Sequence, residues 1–280
     1  MPTPPVRRTA PLPDLITSTR SPRVGAVRRL HRRSARAAER RFVVEGPQAV
    51  REALAVGALE VLYAEPGRQP ELEQAARTAG TEVVPVAPPV LAAMAETVTP
   101  QGVVGVAALI DVALDVALAG SPRLVAVLEA VADPGNAGTV VRTADAAGAD
   151  AVVLTAGSVD PHNGKCVRAT AGSLFHLPVV AGVPLDDAVT ALRAQGLQVL
   201  ATTGSGDADL DDLLDAGDLA RPTAWLLGNE AAGLSDAALA AADRAVRVPV
   251  HGRAESLNLA TAAAVCLYAS ARAQRRSTPA

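Results

Sequence analysis

The sequence predicts an α/β protein with two domains, the second of which contains a parallel sheet. Short β-branched runs alternate with helical segments along most of the 280 residues, and the connections between them are short. Residues 110–122 interrupt this pattern and end in Gly-Ser-Pro, so we expect a linker there. Hydrophobic residues make up 49% of the chain and aromatic residues only 2%, so alanine, valine and leucine must build both cores.

Residues 23–109 predict a small α/β domain. The preceding residues, 1–22, contain six prolines and are expected to form a flexible tail. A basic helix over Val24–Arg40 opens the domain. The predicted strands are Phe42–Gly46, Leu59–Tyr63, Glu82–Val86 and Val103–Leu109, and the predicted helices are Pro47–Val56, Glu71–Ala79 and Pro88–Glu96.

The sequence predicts a larger domain at residues 123–273 and a short tail at residues 274–280. The strands of this domain are continuous apolar runs, which indicates a parallel sheet covered by helices on both faces. The predicted strands are Leu124–Leu128, Ala151–Leu154, Leu177–Val180, Gln198–Thr202, Ala224–Leu227 and Ala245–Val250. The predicted helices are Ala137–Ala147, Leu185–Ala194, Ala232–Ala242 and Leu257–Ala273, and a polar loop covers Asp160–Ser173.

Charge is distributed unevenly along the chain. The net charge of the chain is −3, but residues 1–41 contain eleven arginines and two acidic residues. Their net charge is therefore +9, and that of the remaining residues is −12. A basic N-terminal segment on an otherwise acidic chain suggests a polyanionic partner such as RNA. For residues 1–22, a solvated basic tail without a partner is the simpler explanation. The candidate RNA-binding residues are Arg28, Arg29, Arg32, Arg33, Arg40 and Arg41, together with Lys165 and Arg168 of the polar loop.

The sequence argues against several classes of protein. The basic N-terminus is not followed by an apolar segment, and the longest apolar run, Leu257–Ala271, is too short to span a bilayer. Cys166 and Cys266 are far apart and lack metal-ligand spacing, so we expect reduced thiols, no metal and a cytoplasmic protein. A complete G-x-G-x-x-G after a strand and a P-loop are both missing, which disfavours the ordinary nucleotide-binding folds.

The segment Asp133–Ala144 joins a predicted strand to a predicted helix. Such a junction offers unpaired backbone N–H groups to an anion. We expect Asn136 to cap the helix and Arg142 to reach back over its outer side. An ordinary capped helix with one arginine explains this segment equally well when it is taken alone.

Two further polar segments follow predicted strands. Gly228–Glu230 ends a buried strand, at the edge where open α/β sheets bind ligands. Val248–Ala264 passes from a short strand through a polar bend into an apolar helix. A helix capped by Glu255 or Ser256 is the plain structural explanation of this second segment, and we expect Ser256 and Asn258 to cap the helix.

Taken together, these segments resemble one family. The sequence reads N-x-G-x-x-x-R at Asn136–Arg142, G-N-E-x-x-G at Gly228–Gly233, and V-P-V followed by E-S-L-N-L-A at Val248–Ala260. These look like motifs 1, 2 and 3 of the SpoU-type RNA ribose 2′-O-methyltransferases, in the family's order and spacing. R-A-T-A-G-S at Arg168–Ser173 is similar to a further family signature, and R-R-F-V-V-E-G at Arg40–Gly46 looks like part of the family's accessory RNA-binding domain.

The resemblance implies a fold, a cofactor and an assembly. The larger domain would be a SPOUT α/β domain whose deep trefoil knot holds S-adenosylmethionine, and the smaller one an L30e-like RNA-binding domain. Family members are homodimers that pack through the knot, so the helix Leu257–Ala271 is expected to form part of an interface. By position in motifs 2 and 3, the residues expected to contact the cofactor are Leu227, Gly228, Asn229, Val248, Val250 and Leu257.

The resemblance also implies catalytic roles. Arg142 would be the base or the group that activates the acceptor, and Glu230 would hold Arg142 in place. A guanidinium stays protonated in proteins, so clamping the adjacent phosphate and stabilising a developing alkoxide is the physically easier role. The positioning residues implied by the motifs are Asn136, Glu230, Ser256 and Asn258.

The N-terminal domain favours ribosomal RNA, of the 23S type, over transfer RNA as the substrate. Two alternatives stay open: a transfer-RNA ribose 2′-O-methyltransferase, and a catalytically silent RNA-binding or ribosome-assembly protein. The sequence does not identify the modified nucleotide, because RNA targets are recognised by shape and by unstacked loops.

Overall fold

The computed structural model describes residues 14–277, which form two α/β domains. The N-terminal sheet has the order β1-β4-β2-β3, with β4 antiparallel to both neighbours and β3 parallel to β2. Its strands are β1 (Arg41–Glu45), β2 (Leu59–Ala64), β3 (Glu82–Pro85) and β4 (Val103–Ala108). Its helices are α1 (Pro22–Arg29), α2 (Arg33–Glu39), α3 (Pro47–Ala55), α4 (Pro70–Thr78) and α5 (Pro88–Met94).

The basic segment before β1 forms two helices, α1 and α2. Nη1 of Arg36 donates hydrogen bonds to the carbonyl oxygens of Leu30 and His31, at 2.9 Å each. This side chain satisfies carbonyls at the end of α1 that have no partner within that helix. The prediction of a single helix over Val24–Arg40 was therefore wrong.

Two segments expected to lie outside the domains pack against them. The backbone N–H of Ile16 donates to Pro85 O at 3.0 Å, so the described part of the predicted flexible tail is bound to the N-terminal sheet. Residues 110–122 contain a short helix, α6 (Leu114–Ala117), because apolar residues such as Leu118 are buried there. Residues 1–13 and 278–280 lie outside the described range.

The larger domain contains a seven-stranded parallel sheet in the order β7-β6-β5-β10-β8-β11-β9. This arrangement confirms the predicted α/β class. The strands are β5 (Leu124–Leu128), β6 (Ala151–Thr155), β7 (Val179–Val183), β8 (Gln198–Thr202), β9 (Ala208–Asp209), β10 (Thr223–Leu227) and β11 (Arg244–Arg247). The helices are α7 (Pro134–Ala147), α8 (Gly164–Thr170), α9 (Leu185–Ala194), α10 (Leu210–Asp215), α11 (Asp236–Ala241) and α12 (Leu259–Ser277).

Several predicted elements of this domain need correction. The polar loop Asp160–Ser173 contains α8, which Asn163 caps by accepting a hydrogen bond from the backbone N–H of Lys165 at 2.9 Å. The short β9 and α10 were missed, and Asp209 caps α10 in the same way. Polar residues that read as loop in the sequence are therefore helix caps in the structure.

Helices α7 and α12 lie side by side and run in the same direction. Asn258 bonds to Asn136 at their starts, and Nη2 of Arg275 donates to Ala147 O near their ends, at 3.2 Å. The indole Nε1 of the buried Trp225 donates to Ser270 Oγ at 2.9 Å, which ties α12 to β10. These two helices form the layer that supports the candidate site.

Candidate active site

The loops that carry the three motifs meet at the carboxyl edge of the seven-stranded sheet. They follow β5, β10 and β11, and because these strands are parallel, the loops leave the sheet on the same side. Open α/β sheets bind ligands at this edge. The fold thereby joins side chains that are 94 and 122 residues apart in sequence.

Asp133 begins α7 and caps it. Its Oδ1 accepts a hydrogen bond from the backbone N–H of Asn136 at 2.9 Å, so the prediction that Asn136 is the cap was wrong. The hydrogen bond from Lys165 Nζ, at 2.7 Å, contributes most to lowering the pKa of Asp133. Because Asp133 serves the backbone, the amide of Asn136 is available to the neighbouring loops.

Asn136 lies at the centre of a hydrogen-bond network that joins the three motifs. Its Nδ2 donates to Glu230 Oε1 at 3.0 Å, and its Oδ1 accepts from Asn258 Nδ2 at 3.1 Å. Glu230 also accepts hydrogen bonds from the backbone N–H groups of Ala132, at 3.3 Å, and Asp133, at 3.2 Å. A side-chain amide suits this position because it donates and accepts at once.

Glu230 is a carboxylate at neutral pH. Its partial burial raises the pKa, but hydrogen bonds from Asn136 and from backbone amides outweigh that effect and lower it overall. Such a carboxylate is a weak base, which favours a positioning role. Its hydrogen bonds go to motif 1, and the structure does not show the expected contact between Glu230 and Arg142.

Asn258 caps α12 and contacts α7 at the same time. Its Oδ1 accepts hydrogen bonds from the backbone N–H groups of Ala260, at 2.9 Å, and Thr261, at 3.4 Å. The prediction that Asn258 caps this helix is therefore confirmed, whereas the expected caps Ser256 and Glu255 are exposed and precede the cap, so neither of them caps it. The residue that starts the helix therefore also holds motif 3 against motif 1.

Arg142 lies on the solvent-facing side of α7, beyond the network. At about 1.5 Å per residue, it is roughly 9 Å further along the helix axis than Asn136. Within residues 14–277 its guanidinium has no hydrogen-bond or ion-pair partner. The neighbouring hydroxyls of Thr139 and Thr143 bond to the backbone of α7 itself, at 2.8 Å, so the donors of Arg142 remain open to a ligand.

Gly228 follows β10 where two backbone segments are in close contact. A Cβ at this position would overlap with the backbone atoms of Gly233 and Leu234. Asn229 and Gly233 exchange two backbone hydrogen bonds of 2.9 Å, and Asn229 Nδ2 donates to Ala130 O at 2.8 Å. Glycine is therefore required here by the packing of its own loop.

The apolar residues expected near the cofactor lie in different environments. The side chain of Leu227 is fully buried in the core, and Val248 is half-buried. Val250 and Leu257 are 40% and 36% exposed. Only the last two offer an open apolar surface beside the polar bend, while Leu227 supports the loop from beneath.

The loop after β8, residues 203–206, also lies at this edge and was missed. Strand β8 lies between β10 and β11, and Thr203 N donates to Val246 O at 2.9 Å. A Cβ at Gly206 would be 2.7 Å from Arg247 N. Its Gly-Ser-Gly sequence lacks the third glycine of a dinucleotide motif, and nothing else in the sequence marks it.

The eight cations predicted to bind RNA fall into two groups. Arg28, Arg32 and Arg33 are exposed, and in the part of the chain that the structure describes their side chains have no ion-pair partner. The other five pair with carboxylates of this chain: Arg29 with Glu39 (3.6 Å), Arg40 with Asp111 (3.9 Å), Arg41 with Glu60 (2.6 Å), Lys165 with Asp133 (2.7 Å) and Arg168 with Glu45 (3.0 Å).

Other kinds of site were also considered. None of the helices formed by residues 14–277 is long and apolar enough to cross a membrane. The same residues contain no group of three or more His, Cys, Asp or Glu side chains that is able to hold a metal ion. Cys166 and Cys266 are free, and burial raises the pKa of each thiol to about 12, so neither is a nucleophile at ordinary pH.

Comparison with known proteins covers both domains. The model of the SpoU rRNA Methylase family matches residues 123–268, and the model of the MRM3-like substrate binding domain matches residues 21–105. The 23S rRNA (guanosine(2553)-2′-O)-methyltransferase RlmP of Bacillus subtilis is 37% identical over 256 residues, which cover 90% of this chain and 97% of that protein.

Solved structures have the same arrangement. The AdoMet-bound rRNA methyltransferase from Sinorhizobium meliloti has a TM-score of 0.82 at 32% identity, over 95% of this chain and 99% of that one. The SpoU methyltransferase AviRb from Streptomyces viridochromogenes, in complex with AdoMet, has a TM-score of 0.79 at 33% identity, over 93% and 100% of the two chains. These matches confirm the resemblance read from the motifs. The chain belongs to the SpoU rRNA methylase family.

Proposed function

We propose that this chain transfers a methyl group from S-adenosylmethionine to a ribose 2′-OH of 23S-type ribosomal RNA. The observation that carries the proposal is the network of Asn136, Glu230 and Asn258, which joins the three motifs at one edge of the sheet. Relatives that share both domains are named as 23S rRNA 2′-O-methyltransferases, and two of the solved neighbours contain AdoMet.

The loops after β8, β10 and β11 suit this cofactor chemically. Val250 and Leu257 offer apolar surface for an adenine, above the buried Leu227. The backbone around Gly228, Asn229 and Val248 is proposed to supply the polar contacts. When bound, S-adenosylmethionine supplies a methyl group on a positively charged sulfur.

Arg142 is the proposed catalytic residue on the acceptor side. In the reaction the ribose 2′-oxygen would bond to the methyl carbon, the carbon–sulfur bond would break to leave the neutral thioether S-adenosylhomocysteine, and the hydroxyl proton would pass to solvent water. Because a guanidinium stays protonated, Arg142 does not take this proton. Its open donors instead bind the adjacent phosphate and stabilise the negative charge that develops on the 2′-oxygen. Ser256 is proposed to contact the RNA, while the network keeps the loops in register.

Helices α1 and α2 are the proposed RNA-binding surface. Arg28, Arg32 and Arg33 are exposed cations without partners among the described residues, so their binding to phosphate breaks no existing ion pair. The five paired cations must give up a carboxylate first, and they are expected to contribute less. Binding through phosphates makes the affinity fall steeply with salt.

A homodimer through the C-terminal segment is proposed from its exposed apolar residues. Val265 and Tyr268 are 40% and 53% exposed and lie three residues apart on α12. Light scattering at micromolar concentration is expected to give a dimer, and a monomer would contradict it.

The deep trefoil knot of the family is proposed for the C-terminal third of the larger domain. Within this third, residues 248–277 leave the carboxyl edge of the sheet and end at its amino edge, where Nε2 of Gln274 donates to Arg123 O at 2.8 Å and to Arg221 O at 3.0 Å. We also propose that residues 23–109 and 123–273 form the two domains and that residues 110–122 join them. A cytoplasmic location is proposed because the ribosomal RNA substrate is found there.

The proposal is tested with tritiated S-adenosylmethionine and separated, deproteinised ribosomal and transfer RNA. Transfer to ribosomal RNA is the expected result. Transfer to transfer RNA alone would replace the proposed substrate with the other RNA class. Calorimetry on the same preparation measures cofactor binding, and no heat signal together with no transfer would indicate a catalytically silent RNA-binding protein.

A further inference from the structure

Arg36 is an almost fully buried arginine that joins the two domains. It belongs to α2 and is 3% exposed. Its Nε and Nη2 donate to Asp160 Oδ2 of the larger domain, at 2.9 and 2.7 Å. Its Nη1 donates to the carbonyls of Leu30 and His31 at the end of α1. One guanidinium therefore fixes α1, α2 and the larger domain to one another.

A second ion pair crosses the same interface, with its arginine in the larger domain and its carboxylate in the smaller one. Arg168 of α8 donates from Nη1 to Glu45 Oε1 at 3.0 Å and to Glu96 Oε2 at 3.3 Å. Glu45 is 8% exposed, and its Oε2 also accepts hydrogen bonds from the backbone and the hydroxyl of Thr97. Each domain thus inserts one arginine against acidic side chains of the other.

The contact of Arg36 lies close to the candidate active site. Asp160 directly follows Val159, whose backbone N–H donates to Val131 O at 2.9 Å. The next residue after Val131 is Ala132, whose N–H donates to Glu230 Oε2. Three hydrogen bonds, from Arg36 to Asp160, from Val159 to Val131 and from Ala132 to Glu230, therefore connect Arg36 to the network of the three motifs.

The proposed RNA-binding surface lies on the same two helices as Arg36. Arg28 is on α1, Arg33 is on α2, and Arg32 is between the helices that Arg36 holds together. The separation between these open cations and the network is set by this interface, where the buried ion pair lies beside the packing of Phe42 on His162 and Phe175. Two relatives with this fold are named for different nucleotides, guanosine(2553) and uridine(2479), so the shared motifs alone do not choose the target.

We propose that Arg36 is a positioning residue that holds the basic α1–α2 surface at a fixed distance from the methyl-transfer site and so selects the nucleotide that is methylated. This inference rests on the proposed function for its RNA. A chain without the ion pair has domains that shift relative to each other, and RNA held by α1 and α2 then presents several riboses to the site.

The test uses the full chain with Arg36→Met and Asp160→Asn, and Arg77→Met as the matched control. Arg77 pairs with Glu73 within α4, so its loss changes the charge by the same amount without touching the interface. For both interface variants we expect unchanged S-adenosylmethionine affinity by calorimetry and about a 100-fold fall in kcat/KM at the native nucleotide. Mapping of 2′-O-methyl groups in ribosomal RNA should then reveal additional methylated positions, and Arg36→Lys should give an intermediate result.

Small-angle scattering of the same variants gives a readout that does not depend on RNA. A broader distribution of interdomain distances in Arg36→Met and Asp160→Asn, but not in Arg77→Met, supports the proposal. An unchanged scattering curve, or a single unchanged methylation position at wild-type KM, would overturn it. If the wild type methylates no RNA, the proposed function fails instead, and scattering alone decides whether Arg36 fixes the domains.

Discussion

The candidate active site has two parts that differ in how far the chain has already organised them. Asn136, Glu230 and Asn258 are hydrogen-bonded to one another and to backbone amides. Arg142 and Ser256 are exposed and without hydrogen-bond partners among residues 14–277. The first part is complete in a single chain, and the second points its donors into solvent.

This difference separates positioning from chemistry. Loops that are already fixed need no further ordering when a ligand binds, so the ligand's binding energy is not spent on them. An open guanidinium makes its interactions only when RNA arrives. Substitutions in the first part should therefore change stability and turnover together, whereas those in the second should change the turnover or the KM for RNA without changing stability.

The largest effect on turnover is expected from Arg142→Ala. Removing a charged donor from the acceptor side should lower turnover about 100- to 1000-fold. Stability and cofactor binding should stay at wild-type values, because Arg142 is exposed and its guanidinium has no hydrogen-bond or ion-pair partner among residues 14–277. Turnover and thermal melting measured on one preparation check this prediction, and unchanged turnover would remove Arg142 from the mechanism. Arg142→Lys, which keeps a point charge but loses the planar donor geometry, should recover only part of the activity.

Gly228→Ala should have the largest effect on the organised part. The added Cβ overlaps with the backbone of Gly233 and Leu234, so the loop must shift, at a cost of about 2–4 kcal/mol in unfolding free energy. Gly204→Ala is the matched control, since a Cβ there meets no atom within 4 Å. Urea unfolding of both variants distinguishes them, and equal midpoints would show that this loop tolerates a side chain.

Asn136→Ala should lower turnover less severely than Arg142→Ala, but it should also reduce stability. The change removes the hydrogen bonds to Glu230 and Asn258 at once. A double-mutant cycle with Asn258→Ala should give a coupling energy of about 1 kcal/mol. Additive effects in that cycle would mean that the two amides act independently.

The pKa of Glu230 predicts a pH dependence of stability. The hydrogen-bonded carboxylate has a pKa below its ordinary value of 4.5. Its contribution is therefore fully present above that value and is lost as the pH falls through the lower folded pKa. Melting temperatures between pH 7 and the acid range should converge for the wild type and Glu230→Gln as the pH falls. Glu255→Gln changes an exposed glutamate that has no hydrogen-bond partner among the described residues, so this variant should follow the wild type. Parallel curves for the wild type and Glu230→Gln would contradict the pKa shift.

Ser256→Ala should have the smallest effect on the folded chain. Ser256 is exposed and has no hydrogen-bond partner among the described residues, so the free energy of unfolding of the protein should change by less than about 0.5 kcal/mol. If Ser256 contacts the RNA, the KM for ribosomal RNA rises while stability does not change. A loss of stability would instead place Ser256 with the organised part.

The sequence predicted the α/β class, the strands of the larger sheet except the short β9, and the three motifs, because apolar runs and glycine-containing turns are local signals. It predicted Asn258 as a cap of α12, but it wrongly predicted Asn136 and Ser256 as helix caps as well. Asp133 and Asn258 are the caps, and Asn136 is free for the network, because tertiary packing decides among several polar residues near a helix start.

Two further features could not be predicted from the sequence for the same reason. Charge alone assigned Arg168 to RNA, yet Glu45 and Glu96, which are far away in sequence, surround it. The break between α1 and α2 depends on Arg36, whose partner Asp160 belongs to the other domain. Long-range ion pairs leave no pattern in the local sequence.

The most direct test of the account is to digest the RNA product to nucleosides after a single turnover with tritiated S-adenosylmethionine. We expect the label in one 2′-O-methylnucleoside of ribosomal RNA with the wild type and with Ser256→Ala at saturating RNA, and almost no label with Arg142→Ala. Label on a base, or equal label with Arg142→Ala, would contradict it.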